Sequence, residues 1–383
     1  MQVRPSARRI RRHEGAAAGA AAGGGGDAAT TTAVPPLNQV LERLFARESL
    51  SFEEAGGTLR ALLASGADAD AASLSAFLVL LRAKGETGDE VAGLASAMLD
   101  EMVHVDVGSD LRVVDIVGTG GDGIGSVNIS TGATLLTAAC GCPVAKHGNR
   151  SVSSMCGSAD VLEAMQVAVD LSPTSVAKTI RECGIGFMFA PRYHPAMAQV
   201  VPVRKAIKVR TAFNLLGPML NPAGTTHALI GTYNEDVMPL MAAALQKLGH
   251  QKSIVVHSMG LDEVSPLGPA RFMEVTPESI ETYTFDPLDY GFKRCTVDDL
   301  KGGDRFVNAD MLKECLGGKQ CAASDALVLN AGVALAACDF AAGVEEGLEM
   351  AREVQKQGKG LKVLEEWSAL STALAEEEQE KVT

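Results

Sequence analysis

Val113-Val114-Asp115-Ile116-Val117-Gly118-Thr119-Gly120-Gly121-Asp122-Gly123 is a short β-branched run that breaks at once into glycines. Residues 130–139 then read as a helix. Strand, glycine loop and helix in succession form the opening unit of an α/β layer. Downstream, residues 143–146 read as a second strand and 159–165 as a helix. The runs at 228–230 and 253–257 flank a helical stretch at 236–248. Alternating strands and helices predict a mostly parallel central sheet covered on both faces. Residues 272–275 and 280–285 add an antiparallel pair, and 324–337 and 344–357 are helical.

Upstream of this layer, residues 37–107 are purely helical in pattern. Leu37, Val40, Leu41, Leu44 and Phe45 share one helical face. Ser51 with Glu54, and Thr87 with Glu90, have capping-box spacing. The fold class expected is therefore α/β, with a small all-helical domain ahead of a larger α/β domain. Residues 1–36 differ from both. They are rich in Ala and Gly, and carry five arginines against Glu14 and Asp27. Such a basic, acid-poor leader has the composition of an organelle transit peptide. A low-complexity tail without an address reads equally well from composition.

The chain has 383 residues, enough for two domains and a large core. Its net charge of −13 argues against nonspecific binding to nucleic acid. No apolar run approaches the length of a membrane span, so no membrane partner is expected. The eight cysteines show neither CxxC nor zinc-ligand spacing, and read as reduced thiols.

The run from Gly118 to Gly123 satisfies G-x-G-x-x-G, but that pattern alone is weak evidence for a dinucleotide site. A dinucleotide fold wants a carboxylate at the end of the second strand. Here that strand ends in Lys146, followed by His147-Gly148-Asn149-Arg150. No Gly-Lys-Ser/Thr follows the glycines, so a P-loop is excluded too. What remains is a set of groups suited to phosphate. Loop N–H groups can point at anionic oxygens. Ser126, Asn128, Ser130 and Thr131 lie where a helix begins, and Lys146 and Arg150 add charge. Ser151, Ser153, Ser154 and Ser158 form a second small-residue loop before a second helix. Each serine alone reads as a cap or turn residue. Two such loops together fit a ligand with separated phosphates.

Asp122 is out of place in an anion loop; it reads as a loop-orienting residue, a contact to a metal-bound ligand, or a turn residue. Asp262-Glu263 follows a strand, and two carboxylates in a turn can face one cation such as Mg²⁺. A solvated loop is the competing reading. Arg204 lies on an expected helix beginning near His194, and its fork suits a carboxylate.

These stretches resemble the anthranilate phosphoribosyltransferase family of tryptophan biosynthesis. The resemblance is carried by Asp115-Ile116-Val117-Gly118-Thr119-Gly120-Gly121-Asp122-Gly123 and Asn128-Ile129-Ser130-Thr131. Further motifs are Lys146-His147-Gly148-Asn149-Arg150-Ser151-Val152-Ser153-Ser154, Gly157-Ser158-Ala159-Asp160 and Tyr193-His194-Pro195-Ala196-Met197. Another is Phe213-Asn214-Leu215-Leu216-Gly217-Pro218-Met219-Leu220-Asn221-Pro222. It covers about residues 37–370. Met259-Gly260-Leu261-Asp262-Glu263-Val264-Ser265-Pro266-Leu267-Gly268 and Phe285-Asp286-Pro287-Leu288-Asp289-Tyr290-Gly291 are similar to the plant and algal branch. With that branch, residues 1–36 become an expected transit peptide to the plastid stroma.

The resemblance implies a helical domain at 37–108 with a returning segment near 194–222, and an α/β phosphoribosyl-binding domain at 109–193 and 223–383. It implies a homodimer, and small-molecule substrates: anthranilate and phosphoribosyl pyrophosphate. Donor contacts carry over to Gly118, Gly121, Asp122, Ser126, Asn128, Ile129, Ser130, Thr131, Lys146, His147, Gly148, Asn149, Arg150, Ser151, Val152, Ser153, Ser154 and Ser158. Anthranilate would meet Gly118, Asn149 and Arg204. The cofactor implied is Mg²⁺, at Ser130, Asp262 and Glu263. His147 is the one candidate acid or base, and a positioning role competes with it. Met155-Cys156 departs from the usual loop residues but leaves Gly157-Ser158 intact. The rival readings are a pyrimidine nucleoside phosphorylase-like enzyme and a non-catalytic phosphate-binding module.

Overall fold

The computed structural model describes residues 34–64, 71–151 and 155–381. The expected leader is thus almost wholly outside the described residues, as are Val152, Ser153 and Ser154.

Four helices open the chain: Leu37–Phe45, Phe52–Leu63, Ala71–Lys84 and Gly88–Asp100. Both expected capping boxes form. Ser51 and Glu54 exchange side-chain bonds with each other's backbone N–H, and so do Thr87 and Glu90. Each such cap is worth about 1 kcal/mol. Glu90 is fully buried, paired with Lys84 at 2.9 Å and accepting from Leu50 N at 2.9 Å. It therefore fixes the turn between the first two helices as well as capping the fourth.

Among the described residues seven strands follow: β1 (Asp115–Gly118), β2 (Val144–Gly148), β3 (Ile185–Phe189), β4 (His227–Gly231), β5 (Lys252–Ser258), β6 (Ala270–Val275) and β7 (Ile280–Phe285). One sheet runs β1-β4-β5-β6-β7, with β1, β4 and β5 parallel and the β5-β6-β7 end antiparallel. A second, two-stranded parallel sheet pairs β2 with β3. A single parallel bridge, Val114 to Val144, joins the two before β1 and β2 part. Across the joint the spatial order is β3-β2-β1-β4-β5-β6-β7. β2 and β3 lie on one side of β1 and β4 and β5 on the other, so the strand order reverses at β1, whose carboxyl end is the usual ligand position in an open α/β sheet.

The faces of the sheet divide by residue parity, as period-two strands require. Leu229, Ile254, Val256 and Phe272 enter the main core, which also holds the helix Ala322–Ala337. That helix is buried on every side, hence its lack of amphipathic periodicity. Ala228, Ile230, Val255 and Met273 face a second core shared with the four opening helices. Ala196, Val200, Val203, Phe213, Leu215 and Leu216 join that same core. The chain crosses between layers near residue 104, where Val103 N bonds Tyr193 O and Val105 N bonds Pro222 O.

Candidate active site

The site grows from the end of β1. There Gly118 lies beside Gly231 of β4, and the turn after β5 comes down onto both. A Cβ on Gly231 would stand 1.4 Å from Asp262 O, and one on Gly118 would stand 2.3 Å from Asp262 Oδ2. Only glycine admits that approach. Asp262 then accepts a 2.6 Å bond from Gly120 N, so the carboxylate holds the glycine loop from below. Arg210 holds it from outside, donating to Gly121 O at 2.8 Å while stacking 3.8 Å over Tyr233.

Asp122, left open by its sequence position, belongs to a carboxylate group. Oxygens of Asp122, Asp262 and Glu263 all lie within 4.8 Å of one another. Burial pushes the Asp262 carboxyl up to about 6, and the charge of Asp122 adds to it. Glu263 is raised well above its ordinary value, by burial first and then by Asp262 and Asp122. Its Oε2 is buried with no hydrogen-bond partner. Three hard oxygen donors, mutually repelling, with one oxygen unpartnered, fit a small divalent cation such as Mg²⁺. The turn bearing Asp262 and Glu263 is fixed by Asn330 of the buried helix, which accepts from Val264 N at 3.1 Å and donates to Val264 O at 2.7 Å.

Lys146 lies beneath this group rather than in an open loop. It is 1% exposed, and Nζ donates to Ile116 O at 2.8 Å. Burial lowers its pKa, opposed by Asp115, Glu263 and Asp262. Where β1 and β2 part, side chains replace the missing ladder. Asp115 accepts from His147 N at 3.3 Å and from Asn221 Nδ2 at 2.7 Å, and Asn221 also donates to Ala145 O. Burial raises the Asp115 carboxyl to about 6, against the pull of Lys146.

His147 lies between Gly217 and His194. Its Nδ1 lies 3.2 Å from Gly217 O and its Nε2 lies 3.2 Å from His194 Nε2. A carbonyl only accepts, so Nδ1 carries the proton and Nε2 accepts from His194. Both nitrogens are thus engaged by protein, and burial drives the pKa down to about 3. Arg150 is ion-paired within the protein. Its guanidinium is engaged by Glu163 and Asp160 of the helix Ser158–Ala164, so it is not an unpaired charge for a ligand. Ile129 puts its side chain in the core.

The second loop is tied down at both ends by Asp160, whose Oδ2 accepts from Ser151 N at 3.0 Å and Gly157 N at 2.9 Å. Gly148, Asn149 and Ser158 frame it, with Asn149 Oδ1 accepting from Arg150 N at 2.7 Å. Ser126 bridges to Lys301, and Ser130 and Thr131 occupy the first turn of the helix Ile129–Ala139. Asn128, its N-cap, donates to Cys156 O at 3.1 Å and accepts from Asn308 Nδ2 at 2.9 Å, joining the two loops. Arg204 stands on the helix Met197–Ile207, half-buried, and makes no ion pair with the described residues. Burial alone lowers its pKa.

Asn221, Asn308 and Asn330 escaped sequence reasoning, because a buried amide has no pattern of its own. Asn221 at least ends the long Phe213–Pro222 motif.

Two family models match the chain. The glycosyl transferase family helical bundle domain covers residues 38–102, and the glycosyl transferase family a/b domain covers residues 110–361. The chain is 42% identical over 339 residues to the anthranilate phosphoribosyltransferase of Chlamydia felis, which spans 88% of this chain and 97% of that one. The crystal structure of anthranilate phosphoribosyltransferase from Thermus thermophilus superposes with a TM-score of 0.82 at 40% identity, covering 87% of this chain and 99% of that one. The Saccharomyces cerevisiae enzyme in complex with phosphoribosyl pyrophosphate and Mg gives 0.80 at 26% identity, covering 88% and 98%.

Proposed function

The chain belongs to the anthranilate phosphoribosyltransferase family, and we propose the following residue roles for its reaction. The reaction transfers the 5-phosphoribosyl group of phosphoribosyl pyrophosphate to the amine of anthranilate, giving N-(5-phosphoribosyl)anthranilate and pyrophosphate, in tryptophan biosynthesis. The reading rests on the group formed by buried Asp262 with half-buried Asp122 and Glu263 at the glycine loop, where Glu263 Oε2 is unpartnered.

Asp262 and Glu263, with Asp122 beside them and Ser130 on the neighbouring helix turn, would hold Mg²⁺. When bound, the ion supplies positive charge to a pyrophosphate leaving group. The chain's own groups do the rest. Thr119 and Gly120 N–H are taken by Gly231 O and Asp262, so Gly118 and Gly121 of the glycine loop, with the N–H groups around Ser126, Asn128 and Thr131, face the donor's anionic oxygens. The loop that follows β2, from Gly148 to Ser154, with Ser158, takes its other phosphate. Lys146 acts from beneath, offsetting the carboxylate charge. Arg204 grips the anthranilate carboxylate, assisted by Asn149 and the Gly118 loop. It thereby aligns an amine that is neutral and needs no base to attack ribose C1.

Two coarser readings go with this. The exposed Phe45 and Val79 on the opening helices, with Val201 on the returning helix, supply apolar surface for a homodimer. Sedimentation as a monomer at working concentration would remove it. The basic leader lies ahead of both family matches and supports plastid import. Cytosolic retention of the full-length chain in a plant or algal cell would overturn that.

The test of the metal roles is the double variant Asp262→Asn, Glu263→Gln. It should lose most activity and its Mg²⁺ response. Its melting temperature should hold or rise, since the substitution removes like charges that repel in the free protein. A variant with the native Mg²⁺ titration would place these residues outside the metal site.

A further inference from the structure

Two cysteines that are six apart in sequence meet in the fold. Cys315 lies in the last turn of the helix Arg305–Leu316, and Cys321 is the N-cap of the helix Ala322–Ala337. Their sulfurs lie 3.7 Å apart. A disulfide needs about 2.05 Å, and sulfurs already in direct contact stand close to that separation. We propose that Cys315 and Cys321 form a reversible dithiol–disulfide pair, and that this pair is the chain's preferred site of oxidation by a small disulfide.

The two sulfurs divide the work. Cys321 is part-exposed and can meet an external oxidant, whereas Cys315 is 2% exposed. Buried Cys315 needs no access, because its step is intramolecular. Cys321 also lies at the N-terminus of a sixteen-residue helix, where anions are favoured. The Cys315 hydrogen bond, together with Ser324 and Ala323 N–H, holds its thiol below the ordinary value; Cys315 is pushed up. Other cysteines lack this combination. Cys142 and Cys338 share a hydrogen bond but are both buried. Cys140, Cys183 and Cys295 are part-exposed, with thiols raised by burial.

The exchange balances with a disulfide RSSR as oxidant. The Cys321 thiolate attacks one sulfur of RSSR, forming a mixed disulfide and releasing the first RS⁻. Cys315 then gives up its proton and attacks Cys321 Sγ, expelling the second RS⁻. The two cysteine protons end on two RSH, two cysteine thiols are oxidised, and one external disulfide is reduced. The bond would join the helix carrying Asn308 to the helix carrying Asn330, the two amides that position the loop residue Asn128 and the carboxylate turn.

The experiment treats the reduced full chain with oxidised glutathione, alkylates the remaining thiols, and maps them by peptide mass. The expected result is loss of two thiols, a Cys315–Cys321 cross-linked peptide without a glutathione adduct, and reversal by dithiothreitol. The pair should react at least roughly tenfold faster than any other cysteine. In Cys315→Ser, glutathione should remain trapped on Cys321. A different linkage, a lasting glutathione adduct on Cys321 of the native chain, or faster reaction elsewhere would overturn the proposal.

Discussion

Arg204 shows how a residue's surroundings decide its role. A surface arginine is commonly paired or fully solvated, but Arg204 is half-buried with no ion pair to the described residues. That arrangement costs desolvation unless an incoming anion repays it. Arg204→Ala should therefore raise the KM for anthranilate by roughly ten- to a hundredfold, from about 1.5–3 kcal/mol for a lost charge-assisted pair. The KM for phosphoribosyl pyrophosphate should stay nearly fixed. Equal effects on both substrates, measured by initial rates, would count against the assignment. The buried histidines give a pH prediction at the same scale. His194 is held down to about 4 by burial, below its ordinary 6.5. The fold thus binds fewer protons than the unfolded chain between those values. Its contribution is whole above pH 6.5 and is lost as pH falls toward 4. Asp115, raised to about 6, acts with opposite sign, so native and variant must be compared at each pH. The melting-temperature advantage of the native chain over His194→Asn should shrink from pH 7 to pH 5. A constant difference would show that His194 does not titrate with unfolding.

Elements were legible where local chemistry announced them. Ser51 with Glu54 and Thr87 with Glu90 marked two helix starts by cap spacing alone. The β-branched run before Gly118 marked β1. Other elements carried no such signal. β3 is five residues, Ile-Gly-Phe-Met-Phe, with a glycine inside and no alternation because it is covered on both faces. The helix Arg305–Leu316 buries Asn308 among its apolar residues, which blurs its stripe. The carboxylate group was half-legible. Asp262 and Glu263 are neighbours in sequence, but Asp122 reaches them only because β1, β4 and β5 are adjacent, a fact of topology. Asn330 gives the element-scale test. Asn330→Leu leaves Val264 N–H and C=O without their side-chain partner in the core, at a cost of about 2–4 kcal/mol. The melting temperature should fall, and half-maximal rate should need more Mg²⁺, because the turn bearing Asp262 and Glu263 loses its anchor. A stability loss with an unchanged Mg²⁺ titration would confine Asn330 to packing.

At the scale of the whole molecule, one sheet serves two cores. Its odd and even positions face different layers, and the returning residues from Ala196 to Leu220 close the helical layer beside the glycine loop. Sequence alternation implied the sheet and its two covered faces, but not the parting of β1 from β2. That gap is filled by Asp115, Lys146 and Asn221, whose polar bonds replace a ladder that periodicity would have continued. Among the described residues no helix is long and apolar enough to cross a membrane. As in the family to which the chain belongs, this arrangement joins anthranilate to a phosphoribosyl donor. The most direct measurement incubates the full chain with both substrates, with and without Mg²⁺, and follows product by mass, beside a parallel incubation with a pyrimidine nucleoside and phosphate. Formation of N-(5-phosphoribosyl)anthranilate that depends on Mg²⁺, with the nucleoside untouched, is the predicted result; phosphorolysis of the nucleoside without consumption of anthranilate would contradict it.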